Sequence, residues 1–397
     1  LIPNTKTIEK YRDDSVVCPP HDLPIDASTL LSISLYDDHM VCISKNGKGI
    51  AYGNNDGHRI YSTLPNKTIE KTEFDIFDNK GQPCKLLSAV CGHRYTLYMA
   101  YPKFPGEGSQ LIYISKNINN GNPIFLNIGQ NHPIALFGGN TTCAAITDEG
   151  SVIIITNSIF QMNTNEIQSI PLPDKERAVL IACCDHFIYA LSGIGHLFRS
   201  SSQDSFSSFQ IVEEVSAKKI VWISGSCRHC LIVTTDGEVY ARGSNGYGEL
   251  ALKNGNEDFD EFTQIDLLKG LEIIACYAGY SHSLFQNKNG MILACGNNGY
   301  GQMLLKEPTY VDNFVPLETT IKKDAIFCMA GHALSIVFID CKPPLNCPNQ
   351  KIINGVFVIP SLIKIGDGEN KVVHLQKKNE KLKKKNALLK NKNEKLQ

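Results

Sequence analysis

Apolar and polar positions follow each other in short blocks along most of this chain. The pattern is clearest in residues 219–305, where one phrase occurs twice: apolar run, Gly-x-x-His corner, apolar run, turn dipeptide, apolar run, Gly/Asn-rich loop. His229 and His282 mark the two corners, 53 residues apart, and the turns end at Gly237 and Gly290. Short apolar runs with β-branched and aromatic residues between such turns predict strands. The Asp-Gly and Asn-Gly dipeptides predict two-residue hairpin turns in which both central residues have positive φ.

Weaker copies of the phrase extend the pattern to seven units. The turn dipeptide recurs at Asn46-Gly47, Glu149-Gly150 and Ser192-Gly193. The corner positions that align, spaced 43 to 54 residues apart, are His39, His93, Asn140, His186, His229, His282 and His332. Repetition at such a period is typical of a solenoid, propeller or array. Seven small antiparallel sheets predict an all-β fold, a seven-bladed β-propeller that hides its sheet edges by radial repetition.

The predicted domain organisation has three parts: an N-terminal segment 1–29, the propeller 30–365 and a C-terminal α-helix 371–397. The seventh unit stops after its second strand, so the missing strands must come from elsewhere. We expect closure by residues 15–18, by residues 351–359, or by both.

Two of the units resemble a known repeat. Gly243-Ser-Asn-Gly-Tyr-Gly-Glu-Leu250 and Gly296-Asn-Asn-Gly-Tyr-Gly-Gln-Met303, with the corner histidine and the Asp-Gly-x-Val-Tyr turn, are similar to the regulator-of-chromosome-condensation repeat. The resemblance covers about residues 30–340; it is specific in units five and six, partial in one and seven, and eroded in two to four. It implies the seven-bladed propeller fold. The founding member of that family is a nucleotide exchange factor for the small GTPase Ran.

The recurring glycines and histidines are predicted to be structural. A residue repeated in each unit of a ring is expected to do a job repeated in each unit. We expect buried imidazoles whose N–H groups bond backbone carbonyls of the same or the neighbouring blade. The glycines permit tight turns, and their loops lack the lysine of a phosphate-binding loop. The predicted repeat anchors are Gly92, His93, His186, Gly225, His229, Gly279, His282, Gly331 and His332.

The fourteen cysteines favour neither disulfides nor metal. Several recur at predicted strand positions, where a free thiol packs as a small apolar group. Cys227-Arg-His-Cys230 has metal-ligand spacing, but structural zinc takes four ligands and no second pair accompanies it. We therefore expect reduced thiols in a cytoplasmic or nuclear compartment, no metal and no cofactor. No catalytic set of residues stands out, so the chain is predicted not to be an enzyme, apart from the exchange activity that the resemblance implies.

Departures from the repeat are the candidates for partner binding. Unit two replaces its short turn by a ten-residue loop, 101–110, which contains Lys103 and Phe104. An acidic stretch at 254–262 could meet a basic partner. The alternative for both is a surface insertion that the scaffold tolerates. The candidate residues in the acidic stretch are Glu257, Asp258, Asp260 and Glu261.

The last 27 residues differ in charge and period. They carry ten Lys and two Glu, a net charge of +8, whereas the whole chain is at −1. Leucine recurs every seven residues with asparagine three positions before it, which is a coiled-coil heptad with polar a positions. The Asn and Lys positions disfavour strong homodimers, so we expect an acidic partner helix, a longer coiled coil or an anionic surface. A solvated helix is the alternative. The seam residues are Leu375, Asn379, Leu382, Asn386, Leu389, Asn393 and Leu396.

Two functions follow from these patterns. The first is a protein-interaction scaffold, a module of a larger regulatory or signalling protein. The alternative, implied by the resemblance, is a guanine nucleotide exchange factor for a Ran-like small GTPase. No apolar run is long enough for a transmembrane helix, and nothing in the sequence supports contact with nucleic acid.

Overall fold

The computed structural model describes most of residues 29–339 and two short strands beyond them. The segments within 29–339 that it leaves undescribed are 37–38, 56–57, 66–67, 102–108, 116–117, 157–166, 253–256, 300, 304, 306–309, 317–324 and 331–334. The described residues form strands, short 3-10 turns and loops. The 3-10 turns are Asn119–Gly121, Pro173–Lys175, Ser202–Asp204, Glu213–Val215 and Asp266–Leu268.

Within the described part of the chain, six units are four-stranded antiparallel sheets, each with its strands in sequence order. The first three are β1–β4 (Leu30–Tyr36, His39–Ser44, Gly49–Asn54, Thr68–Phe74), β5–β8 (Leu86–Cys91, Tyr95–Ala100, Gln110–Ser115, Ile124–Phe125) and β9–β12 (Pro133–Gly138, Thr142–Thr147, Val152–Thr156, Ser169–Ile170). The next three are β13–β16 (Ala178–Cys183, Phe187–Ser192, Leu197–Ser201, Gln210–Ile211), β17–β20 (Ile220–Gly225, His229–Thr234, Val239–Gly243, Phe259–Gln264) and β21–β24 (Ile273–Ala278, His282–Asn287, Ile292–Asn297, Tyr310–Pro316).

The seventh unit contributes a two-stranded sheet, β25 (Ala325–Ala330) with β26 (Ser335–Ile339). A separate pair, β27 (Ile352–Ile353) with β28 (Val356–Phe357), bonds to itself. In the described part of the chain, β27 and β28 therefore pair with each other and neither pairs with β25 or β26. Residues 15–18 and the tail 371–397, with its predicted helix, lie outside the described residues.

The seven units surround one axis. The first strand of every unit lines a common axial cavity of about 130 Å³, and Ile33, Val90, Phe137, Ile181, Ile223, Tyr277 and Ala330 each come from a different unit. Neighbouring first strands contact each other in chain order. The seven-bladed propeller predicted from the repeats is confirmed.

Position in the blade decides how apolar each strand is. The second strands β6, β10, β18 and β22 are buried throughout, since a strand lies on each side and a blade packs on each face. The outermost strand β20 has only one partner strand, and its residues are exposed or half-buried except for the buried Phe262. Apolar burial on this scale supplies most of the favourable free energy of folding. The apolar residues that predicted the strands are the same residues that pack between the blades.

The hairpins between second and third strands use one positive φ, not two. Gly237 has φ +74° and Gly290 has φ +81°, while Asp236 and Asn289 are absent from the residues with positive φ. The amide of Gly237 donates to the carbonyl of Thr234 at 3.0 Å. This geometry is a type I turn followed by a left-handed glycine, so the predicted conformation of these turns is wrong although their positions are right.

One predicted turn is also shifted. In the fourth blade the left-handed glycine is Gly195, at φ +99°, and its amide donates to Ser192. We predicted the turn at Ser192-Gly193. The sequence Ser-Gly-Ile-Gly offers two glycines, and only the strand register selects the second.

Candidate functional site at the blade corners

The strand order divides the loops between two faces of the ring. In an antiparallel sheet, the connections between strands one and two and between strands three and four leave from the same end. We call this end the upper face; the two-three hairpins and the links between blades form the lower face. The stretch before β20 is therefore on the upper face. The connection between β6 and β7, which contains Lys103 and Phe104, leaves from the lower face, and residues 102–108 are outside the described residues.

The ladders identify the true corner residue of each blade. His39, His229 and His282 each open a second strand and face a glycine at the end of the third strand, Gly53, Gly243 and Gly296. The residues that open the second strands of blades two, three and four are Tyr95, Thr142 and Phe187.

His93 and His186 therefore do not occupy the corner position that we predicted. His93 lies two residues before Tyr95 and is half-buried; its amide donates to the carbonyl of Asn140 at 2.9 Å. His186 is exposed on the upper face. Aromatic residues, Tyr95 and Phe187, replace histidine at these two corners, and a histidine lies one or two residues before each of them. Gly331 and His332 lie outside the described residues.

The corner glycine makes room for the ring that follows it. A Cβ built on Gly279 would lie 2.0 Å from Cε1 of His282, and one on Gly92 would lie 2.1 Å from Cε1 of Tyr95. These two glycines are equivalent, because their amides donate to the carbonyls of His282 and Tyr95. Any side chain here would overlap a buried ring.

Gly225 has a different role from the one that we predicted. In the fifth blade Ser226 takes the corner position, since its amide donates to the carbonyl of His229 at 2.9 Å. Gly225 ends β17, and a Cβ there would lie 2.8 Å from Sγ of Cys184 in the preceding blade. This glycine therefore allows two blades to approach each other.

His229 joins the fifth and sixth blades through serine hydroxyls. Its Nε2 lies 2.8 Å from Oγ of Ser283, and its Nδ1 lies 3.3 Å from Oγ of Ser226. Ser283 donates its own proton to the carbonyl of Glu249 at 2.7 Å, so Nε2 carries the imidazole proton and Nδ1 accepts. Burial, with the nearby charges of His282 and Arg228, lowers the pKa of His229 to about 3. The imidazole is neutral and structural, but its partners are hydroxyls rather than the backbone carbonyls that we expected.

The Gly/Asn loops share a contact that was not predicted from the sequence. Oδ1 of Asn55, Asn245 and Asn298 accepts a bond from the amide five residues later, at 2.8, 2.9 and 2.9 Å respectively. All three side chains are buried. The signal was available, because an asparagine stands at the same place in units one, five and six. Each asparagine holds together the loop that connects the third and fourth strands.

Replacing Asn245 by alanine should lower the free energy of unfolding by about 2 kcal/mol, since the buried amide of Leu250 would lose its acceptor. Urea unfolding of the full chain measures the change. Asn297→Ala is the control: its Oδ1 accepts a bond from Gly299 at an exposed position, so its effect should stay below about 0.5 kcal/mol. Equal losses in the two variants would contradict the role of the buried contact.

Glu249 is a buried acid in the same loop. Its Oε2 accepts a bond from the amide of Tyr247 at 2.7 Å, and its Oε1 is buried without a hydrogen-bond partner. Burial raises the pKa of this carboxyl, against the opposing effect of its backbone hydrogen bonds. The sixth blade has Gln302 at this position. The charge therefore costs folding free energy near neutral pH.

Replacing Glu249 by glutamine should raise the free energy of unfolding at pH 7 by about 1 kcal/mol. A carboxyl with a raised folded pKa stabilises below its unfolded pKa and loses that contribution as pH rises through the folded pKa. The gain from glutamine should therefore vanish near pH 4, where the native acid is protonated. Unfolding at both pH values tests this, with the exposed Glu257→Gln as control. A gain that persists unchanged at pH 4 would contradict it.

The acidic candidates lie on and before the outermost strand of blade five. Glu257, Asp258, Asp260 and Glu261 are all exposed. Oδ1 of Asp258 accepts a bond from the amide of Asn245 at 3.2 Å. β20 also contacts the turn Glu213–Val215 of the fourth blade. The structure thus places these carboxylates at one edge of blade five, whereas Lys103 and Phe104 lie outside the described residues.

The described cysteines are free thiols, most of them buried. Cys227 and Cys230 differ in environment: Cys227 is half-buried and Cys230 is buried. Burial is the main cause that raises the pKa of Cys227 to about 12. Among the residues that the structure describes, no group of three or more His, Cys, Asp or Glu side chains could hold a metal ion. In the same residues, no helix is long and apolar enough to cross a membrane.

Sequence comparisons bear on units five and six. The sequence model of the regulator of chromosome condensation (RCC1) repeat matches residues 224–249 and 273–302. The ultraviolet-B receptor UVR8 of Arabidopsis thaliana is 26% identical over 231 residues, which cover 54% of this chain and 51% of UVR8. The secretion-regulating guanine nucleotide exchange factor of Bos taurus is 29% identical over 133 residues, 34% of this chain and 28% of that protein. The match thus spans about half of UVR8 and less of the exchange factor.

Solved structures bear on the fold. Human WBSCR16 superposes with a TM-score of 0.64 at 14% identity, over 80% of this chain and 88% of that one. Prp20p of Saccharomyces cerevisiae superposes with a TM-score of 0.60 at 13% identity, over 77% and 81%. Residues 224–249 and 273–302, in blades five and six, thus match the regulator of chromosome condensation repeat, and the propeller has the fold of Prp20p.

Proposed function

We propose that this propeller is a protein-interaction scaffold and a module of a larger regulatory protein, and that the whole chain belongs to the RCC1 repeat family. The proposal rests on a contrast between the buried interior of the propeller and its exposed outer edge. The corner and loop residues that recur are buried in packing and hydrogen bonds, whereas β20 presents Asp260 and Glu261 to solvent. Functional residues of rigid scaffolds tend to lie on their loops and edges.

The relatives support a modular role. A segment 25% identical over 139 residues occupies 14% of the serine/threonine-protein kinase Nek9 of Mus musculus. Another, 24% identical over 107 residues, occupies 10% of the human probable E3 ubiquitin-protein ligase HERC3. A receptor, a kinase and a ligase share this repeat while their names assign them different activities. A shared fold with different activities is what a binding module is expected to give.

The test compares two charge reversals of equal size in the tagged full chain expressed in cells. Asp260→Lys with Glu261→Lys changes the upper edge, and Glu149→Lys with Asp236→Lys changes the lower-face hairpins. We expect the first pair alone to reduce recovery of basic partners by about tenfold, a loss of about 1.4 kcal/mol in binding. Binding of each recovered partner is then measured with purified proteins. Partners that are lost equally in both variants, or in neither, would contradict an acidic binding edge.

Exchange of guanine nucleotide is the second candidate, favoured by the similarity to the secretion-regulating exchange factor. The test is release of labelled GDP from Ran-like and Rho-like GTPases. We expect rates at the uncatalysed background. Acceleration well above background would make the exchange factor the better assignment, and the propeller would then count as a catalyst of exchange.

The boundaries 1–29, 30–365 and 371–397, the heptad tail with its acidic-helix or anionic-surface partner, and a cytoplasmic or nuclear location stay predictions. Sedimentation of a peptide spanning residues 371–397 tests the tail. Lysine and asparagine at the interface positions should keep it monomeric near physiological salt. A tight homodimer would contradict this prediction.

A further inference from the structure

The upper mouth of the axial cavity carries an arginine held between two tyrosines. Arg228 lies in the corner of blade five, next to Cys227 and within two residues of Ser226, which lines the cavity. The Cζ of its guanidinium is 5.7 Å from the ring centroid of Tyr247 and 5.4 Å from that of Tyr280. Tyr280 also lines the cavity. The arrangement therefore stands at the entrance to a space that all seven first strands share.

The arginine is held from several directions. Its Nη2 donates to Oγ of Ser244 at 3.1 Å. Tyr247 comes from the Gly/Asn loop of the same blade and Tyr280 from the corner of the next blade. The two rings that hold Arg228 therefore belong to neighbouring blades. Tyrosine faces attract a guanidinium through their quadrupole. A guanidinium fixed in this way loses little conformational freedom when it forms further hydrogen bonds.

The charge of Arg228 acts on the nearby buried acid Glu249, where it opposes the rise of the carboxyl pKa caused by burial. In the part of the chain that the structure describes, no carboxylate oxygen lies within ion-pair distance of this guanidinium. The buried acid Glu249 accepts its bond from the amide of Tyr247 instead. A guanidinium has five N–H donors, and one of them is committed to Ser244. Arg228 thus presents a half-buried, oriented cation with free donors to solvent.

We propose that Arg228, Tyr247 and Tyr280 form a binding site for a carboxylate side chain of a partner protein. This inference rests on the proposed scaffold function and adds the chemistry of one contact. The planar fork of a guanidinium matches a carboxylate with two parallel hydrogen bonds. Tyrosine and arginine are also the residue types that concentrate binding energy in interfaces. The site accepts the acidic residue at the mouth, and the partner chain covers the two rings.

The experiment is selection of a phage-displayed library of random twelve-residue peptides on the full chain. We expect enrichment of peptides with Asp or Glu, and synthetic copies should bind about tenfold more weakly to Arg228→Gln and Tyr280→Ala. Arg199→Gln is the matched control, because Arg199 lies in the third strand of blade four and stacks on the single ring of Phe187 at 5.5 Å. Thermal unfolding of each variant verifies that the fold is retained.

Each outcome decides a different point. Selected peptides that bind all three variants equally would overturn this site while leaving the scaffold function standing. Peptides that depend on Arg228 but lack acidic residues would overturn the carboxylate assignment. So would peptides that bind only after their glutamate has been replaced by phosphoserine. Failure to select any peptide would count against both the site and the scaffold.

Discussion

When the pH is lowered from 7 to 4, the free energy of unfolding of the native chain should fall by about 3 kcal/mol more than that of a His229→Gln variant. His229 is buried, and its folded pKa of about 3 lies far below the unfolded value of 6.5. Between these values the unfolded chain binds a proton that the folded chain does not. The stabilisation is therefore complete above pH 6.5 and is lost as pH falls toward 3.

Hydrogen bonding explains why protonation is resisted. A second proton on the imidazole would have to occupy Nδ1, which accepts from Ser226. Glutamine supplies a neutral donor in place of Nε2–H but leaves a different shape, so His229→Gln should already be less stable at pH 7 by about 2 kcal/mol. What is tested is the difference in pH dependence.

Urea unfolding at pH 7, 5.5 and 4 measures both variants. Other histidines and carboxyls titrate in each protein alike and cancel in the comparison. His186→Gln is the control, because His186 is exposed and should keep the pH dependence of the native chain. Parallel pH profiles for the native chain and His229→Gln would contradict a neutral, buried imidazole.

Replacing Gly279 by alanine should reduce the free energy of unfolding by about 3 kcal/mol. The added Cβ would lie 2.0 Å from Cε1 and 2.4 Å from Nδ1 of His282, whose side chain is buried in the blade interface. The ring cannot turn away into solvent. Either the corner must open or the two blades must separate.

Gly246→Ala is the matched control for Gly279→Ala. Its nearest neighbour to a built Cβ is Oγ of Ser244, at 3.9 Å, so the change in stability should stay within about 0.5 kcal/mol. A double variant, Gly279→Ala with His282→Ala, tests the cause. If the ring is the obstacle, the glycine substitution should cost much less once the ring is gone. The same cost with and without His282 would show that something else limits the corner.

Much of the fold was predictable because it depends on local chemistry. The apolar runs around His229 and His282 are strands, and the glycines at 237 and 290 do end their turns. These features need only strand propensity, alternation and the conformational freedom of glycine. The count of seven blades follows from repetition alone, since each unit has similar length and composition.

Loops with altered sequence were harder to recognise. In unit one His58 stands at φ +59°, where units five and six have Gly248 at +76° and Gly301 at +75°. The backbone repeats although the residue type does not. Asn55 holds this loop as Asn245 and Asn298 hold theirs, so the hydrogen-bonding residue was a better marker of the repeat than the glycine.

The register of the corners could not be predicted from the sequence. His93 and Tyr95 are two residues apart, and only the ladder pairs show that Tyr95 opens the second strand. The rings of Tyr95 and His282 fill the same kind of space over a glycine, so the packing selects size and position rather than residue type. The position of Arg228 between two rings could not be predicted either, because Tyr247 and Tyr280 belong to different blades and come near the same guanidinium only when the blades pack.

By itself, the sequence determined the strands, their turns and the sevenfold repetition, because these depend on the preferences of residues close together in the chain. The tertiary structure decided which ring occupies each corner, which face carries the acidic edge and which the loop between β6 and β7, and which side chains surround Arg228. Those outcomes depend on contacts between residues about fifty positions apart, across blade boundaries, where shape and hydrogen bonding rather than local pattern select the arrangement.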